Sequence, residues 1–150
     1  MFVKVKSLKG NTCSQVFVAE HFVRVQPMPT KDHTGRSLRV FSEDVGVPNY
    51  IVVGGAKEQT GPNSAFMKTV RQLKMKIRNT EPYSPWQNRC DMTIGILKKR
   101  WKQTIARKNV NQQIWDYALV YEADILSLTM QKEGDRTGYD KVTGDTPDIP

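Results

Sequence analysis

Cysteine and histidine are scarce in this chain of 150 residues: Cys13 and Cys90 are the only thiols, His21 and His33 the only imidazoles. Two thiols so far apart exclude a disulfide framework and do not complete a four-ligand zinc site. They read as buried small side chains, and the histidines as surface or strand residues rather than zinc ligands. No apolar run approaches the ~18 residues of a membrane span, and the amino terminus lacks the unbroken apolar stretch of a signal peptide. Internal repeats are also missing. The default expectation is an intracellular protein in a reducing environment, without a membrane partner. Acid is scarce in the middle of the chain, where residues 51–109 hold 13 basic and 3 acidic side chains. Residues 1–50 hold 7 and 4, and residues 110–150 hold 3 and 8. The net charge of +8 is therefore concentrated centrally, the pattern of one face turned toward a polyanion, with a merely solvated basic surface as the plain alternative.

What is present is enough apolar residue, 38%, to bury a core in a chain the size of one domain. Residues 3–25 read as three strands, VKVKS, CSQVFVAE and HFVRVQP, with LKGN as a turn between the first two. Val16 and Val18 alternate with Phe17, which suits a strand covered on both sides. A short helix fits 36–45, where Leu38, Phe41 and Val45 share a face and Gly46 and Pro48 supply the stop. YIVVGG reads as a buried strand that breaks at Gly54-Gly55. Asn63 or Ser64 can cap the next helix, which aligns Phe66, Val70 and Leu73. A brief strand at 75–78 and a proline-rich loop, TEPYSPWQN, lead to the longest periodic segments. Ile94, Leu97, Trp101 and Ile105 form one stripe within 89–108, and Trp115, Ala118, Leu119, Ile125, Leu126 and Leu128 another within 112–130. The expected single core comprises Val16, Val18, Val23, Ile51, Val53, Leu97, Trp101, Trp115, Leu119 and Leu126.

This order of elements predicts an α/β domain with a mixed sheet of about five strands and flanking helices, the order of the ribonuclease H-like architecture. Residues 1–131 are expected to form that domain, and 132–150 an acidic, extended tail.

Five blocks, GNTCSQVF, GGAKEQTGPNSAFMKTV, EPYSPWQNR, IWDYALVYEADILS and TGYDKVTGDTPDI, occur in this order along the chain. Together they closely resemble the integrase catalytic core of copia-type retrotransposon polyproteins. The resemblance implies a polynucleotidyl transferase in which three carboxylates hold two Mg²⁺ ions, since in-line attack on a phosphodiester develops charge on both the entering and the leaving oxygen. This chain departs from that pattern at each carboxylate. The family's first Asp would fall just upstream of Met1. Its second lies in a motif that here reads Gly54-Gly55-Ala56-Lys57-Glu58-Gln59, so Gly54 stands at the Asp position. Its Glu follows PWQNR by two residues, where the chain has Cys90 and then Asp91. Asp91 is the remnant of the family Glu and a doubtful metal ligand, shorter by about 1.5 Å. The 36 residues between Gly54 and Asp91 are close to the family spacing. Glu58 and Glu81 are expected to support loops rather than to replace a lost ligand. The implied state is a degenerate integrase core without catalysis and without bound metal.

Nucleic-acid binding does not need the metal site. Residues 89–108 carry Arg89, Lys98, Lys99, Arg100, Lys102, Arg107 and Lys108 against the single acid Asp91. Gln87, Asn88, Arg89, Lys98, Lys99, Arg100 and Lys102 are the candidate contacts to DNA or another nucleic acid, bound without sequence preference. Tyr83 and Trp86 are either base-stacking residues or loop anchors, and Trp101 and Trp115 belong to the core. Integrase cores commonly dimerise, so the resemblance also admits a homodimer through apolar helix faces, and a nuclear location if the protein is functional. The competing expectation is a remnant interaction module whose basic face meets an acidic protein.

Overall fold

Glu20 and His21 both adopt positive φ, 47° and 72°. Left-handed backbone at both central positions is what a two-residue hairpin of type I′ requires, and the turn joins β1 (Cys13–Ala19) to β2 (Phe22–Met28) in antiparallel register, Val16 opposite Val25 and Val18 opposite Val23. The computed structural model describes residues 1, 3–80, 89–129 and 135–146, and its architecture is α/β.

After β2 a 3-10 turn (Lys31–His33) leads into α1 (Thr34–Val45), which stops at Gly46 with φ 114°, a value only glycine takes without strain. β3 (Tyr50–Val53) follows, then the single turn α2 (Lys57–Thr60), α3 (Ala65–Gln72) and β4 (Lys76–Asn79). Of the two cap candidates it is Ser64 that caps α3, its hydroxyl accepting from Met67 N at 3.2 Å. β3 and β4 pair in parallel, Tyr50 beside Lys76 and Val52 beside Arg78. α4 (Arg89–Lys108), a 3-10 turn (Gln112–Ile114), α5 (Trp115–Leu128) and α6 (Gly138–Thr143) complete the described elements.

The expected five-stranded sheet is not what the described residues form. They hold four strands in two separate pairs, β1–β2 and β3–β4. The first expected strand, residues 3–7, is spent elsewhere. Met1 and Val3 make ladder-like bonds to Ser14 and Thr12, at 2.8 and 3.1 Å, but Val5 O then accepts from Trp115 Nε1 at 2.7 Å and Leu8 N donates to Gln113 O at 2.9 Å. The segment leaves the sheet because the start of α5 uses its backbone. Asn11 strengthens the same attachment, its amide donating to the buried carboxylate of Asp116 at 2.9 Å.

The expected single core is likewise two. Val16, Val23, Val25, Leu97, Ile105, Trp115, Leu119 and Ala123 form one cluster between the hairpin and α4–α5, with Val18, Trp101 and Leu126 packed at its margin. Phe17, Phe22, Leu38, Phe41, Val53, Phe66, Val70 and Met75 form the other, with Ile51 and Ile77 against it. Side chains alternate across a strand, so neighbours Val16 and Phe17 enter opposite layers. Phe17 stacks on Phe41 with ring centroids 4.4 Å apart.

Part of the stretch expected as an extended tail is folded. Thr137 caps α6 by accepting from Asp140 N at 3.1 Å, and Gly138 approaches the hairpin turn so closely that a Cβ there would meet the backbone of His21 and Phe22. Tyr139 then reaches the Phe22 ring. A short helix held by one cap and one close approach has no periodicity by which a sequence could reveal it.

Candidate nucleic-acid interface

α4 is anchored before it is displayed. Leu97 and Ile105 are buried, Cys90, Ile94 and Trp101 are half-buried on the same stripe, and the Cys90 thiol donates to Val16 O at 3.2 Å, fixing the first turn on β1. Burial and, to a lesser degree, the neighbouring Asp91 carboxylate push the Cys90 thiol up to about 11. With the inward stripe set, a rotation of ~100° per residue puts Asp91, Gly95, Lys98 and Lys102 on one outward ridge, with Lys99 beside it. All five are exposed, as is Arg89 at the helix start.

Arg100 departs from the expected set. Its guanidinium lies 4.0 Å from the carboxylate of Glu122 on α5, and Glu122 is buried. Thr104 Oγ1 also donates to Glu122 Oε1 at 2.6 Å. Arg100 is thus half-buried at the α4–α5 seam and pairs inward, while Lys98, Lys99 and Lys102 face outward. Gln87 and Asn88 lie outside the described residues, as do Glu81, Tyr83 and Trp86.

The structure places the positions that the resemblance singled out for the carboxylate site as follows. Gly54 leaves the carboxyl end of β3, where α/β sheets commonly bind ligands, and has no side-chain oxygen. Asp91 sits exposed in the first turn of α4. Glu58, in α2, pairs with Lys31 at 2.9 Å, and that hydrogen bond holds its carboxyl below the usual range. The pairing accounts for Glu58 as a loop support. Among the described residues no three His, Cys, Asp or Glu side chains gather where a cation would be held. Among the described residues, these donors do not fit a metal pair, because position 54 supplies no side-chain ligand and Glu58 is engaged by a lysine. His33 stays local, its Nδ1 3.0 Å from Thr30 Oγ1, and His21 sits in the hairpin turn.

The α4–α5 seam was not legible from charge counting, since its partner lies 22 positions away on another helix. A second feature that the basic tally missed lies on β3–β4, where Tyr50 and Val52 are exposed beside Lys76 and Arg78. The alternation of Y-I-V-V with K-I-R-N is the signal that points to it.

No family model and no curated protein matches the chain. Among solved structures, the cryoEM structure of the simian T-cell lymphotropic virus intasome in complex with PP2A regulatory subunit B56 gamma contains a chain of similar fold, with a TM-score of 0.58 and 15% sequence identity. The match covers 92% of the present chain and spans 55% of that neighbour. At this identity the likeness is one of fold. Among the described residues, no helix is long and apolar enough to cross a membrane.

Proposed function

We propose that this chain is an integrase-type core of the copia class, ribonuclease H-like in architecture, that lacks strand-transfer activity and binds nucleic acid without sequence preference through α4. The observation that carries the reading is the outward ridge of Lys98, Lys99 and Lys102, on a helix whose sole acid is Asp91. Side chains of this kind contact phosphates, which position a protein on DNA but carry no sequence information directly. The fold likeness to a chain of a viral intasome complex supports the integrase reading. Gly54 and the Lys31–Glu58 pair support the loss of chemistry, because catalysis by two metal ions needs carboxylates free to ligate them.

Fluorescence anisotropy with a labelled duplex at several salt concentrations tests the binding. Three neutralised phosphates give a slope of log affinity against log salt of about −2.7, and nonspecific dissociation constants of about 10⁻⁴–10⁻⁶ M at physiological salt. The combined Lys98→Glu, Lys99→Glu, Lys102→Glu variant abolishes binding and remains folded, since none of the three side chains is in the core. A parent that fails to bind at low salt overturns the reading. A Mg²⁺-dependent nicking assay tests the rest: neither the parent nor Gly54→Asp turns over. Cleavage by the parent that Asp91→Ala abolishes contradicts the proposed loss of catalysis.

A further inference from the structure

Parallel strands are ordinarily covered on both faces. Among the described residues, β3–β4 is covered on one. Ile51, Val53 and Ile77 face the core beside Phe66 and Val70, while Tyr50, Val52, Lys76 and Arg78 occupy the opposite face and are all exposed, Tyr50 by 64% and Val52 by 43%. Registered partners in a sheet point to the same side, so the Tyr50 ring stands beside Lys76 and the Val52 side chain beside Arg78.

Both charged residues that these two strands place on this face, Lys76 and Arg78, are basic. An exposed aromatic ring flanked by cations on a flat sheet offers a stacking surface and phosphate neutralisation within one nucleotide's reach. A duplex cannot use the ring, because its bases are already stacked on one another; an unpaired base can. A second copy of the same face would bring Lys76 and Arg78 against like charges, which disfavours self-pairing.

We propose that the outer face of β3–β4 is a binding surface for single-stranded nucleic acid, in which a base stacks on Tyr50, its neighbour packs on Val52, and Lys76 and Arg78 neutralise the adjoining phosphates. This surface is distinct from the α4 ridge and does not depend on it.

The test uses fluorescence anisotropy with a labelled oligothymidylate and a labelled duplex of equal length. Tyr50→Ala weakens oligothymidylate binding by about tenfold, the size of one lost base-stacking contact. Tyr50→Phe binds like the parent, because stacking needs the ring and not the hydroxyl. Lys76→Glu with Arg78→Glu reduces oligothymidylate binding to what the α4 lysines alone support and leaves the circular dichroism spectrum unchanged. Duplex binding follows the α4 lysines instead: it survives the β3–β4 changes and is lost in the Lys98, Lys99, Lys102 variant, so failure of one surface is read separately from failure of the other. Three results overturn the inference. They are oligothymidylate binding by Tyr50→Ala and Lys76→Glu/Arg78→Glu equal to the parent's, absence of oligothymidylate binding by the parent, and self-association in sedimentation that Tyr50→Ala disperses, which assigns the face to a second copy.

Discussion

The hydroxyl of Ser127 meets both backbone polar groups of Val23: it accepts from the Val23 N–H at 2.8 Å and lies 2.9 Å from the Val23 carbonyl oxygen. Its single proton is shared between that carbonyl and Ala123 O, 3.0 Å away on its own helix. A side chain of α5 therefore stands in for a neighbouring strand along β2. Ser127→Ala leaves the Val23 N–H without its acceptor in a buried setting, at a cost of about 1–3 kcal/mol. The expected result is a lower urea midpoint with an unchanged m-value.

Gly138→Ala inserts a Cβ against the backbone of His21 and Phe22. Backbone does not yield as a flexible side chain does, so α6 lifts from the hairpin and Tyr139 loses the Phe22 ring, at about 1–3 kcal/mol. Hydrogen exchange locates the effect: amides of residues 138–143 lose protection, and those of α4 and α5 keep theirs. Unchanged protection in α6 shows that its docking does not require the close approach.

Cys90 gives the protein an alkaline weakness. Its thiol ordinarily titrates at 9.0, and in the fold burial holds it neutral up to about 11. The folded state thus binds this proton more tightly than the unfolded state. The resulting stability is complete below pH 9 and declines as pH rises from 9 to 11, by on the order of 2 kcal/mol. Cys90→Ala flattens stability across that window while losing the bond to Val16 O. Maleimide labelling at neutral pH followed by mass spectrometry is the second check, with Cys90 labelled slowly in the native protein and quickly in denaturant.

Arg100 separates structure from binding on the same helix. Because its guanidinium turns to Glu122, Arg100→Ala leaves the salt slope of duplex binding unchanged, whereas Lys98→Ala reduces it by about 0.9. Glu122→Ala removes the acceptor of Thr104 and lowers the melting temperature; Arg100→Ala lowers it less, since Thr104 still donates to Glu122. An Arg100→Ala slope reduced as much as that of Lys98→Ala shows that the guanidinium reaches phosphate.

Much of the fold follows from local pattern. Helix α4 spans the residues that its stripe of Ile94, Leu97, Trp101 and Ile105 predicts, Ser64 caps α3, and Gly46 ends α1. These are signals of period and turn chemistry, and they need no knowledge of distant neighbours. What local pattern does not carry is which neighbour a residue meets. Residues 3–7 alternate like a strand, yet Trp115 takes the carbonyl of Val5, and Gln113 the N–H of Leu8 just beyond them. Trp101 lies on the predicted stripe but only at the margin of its cluster, and among the described residues its indole N–H finds no acceptor. Arg100 and Lys99 are adjacent basic residues on one helix, and only the position of Glu122 on α5 makes their roles differ. The candidate interface was legible as a charged helix; its true outward set needed the helix pair.

The two layers of the molecule have no wall of their own on the side where they meet. Val16 and Phe17 are consecutive residues of β1, and each is a wall residue of a different cluster. Removing the hairpin exposes apolar surface in both layers at once: α4–α5 lose the strands they pack on, and α1 loses the Phe17 ring stacked on Phe41. The hairpin therefore acts as a thermodynamic hinge pin: the layers gain or lose their packing together, and unfolding proceeds as one cooperative event rather than by peeling one layer from the other.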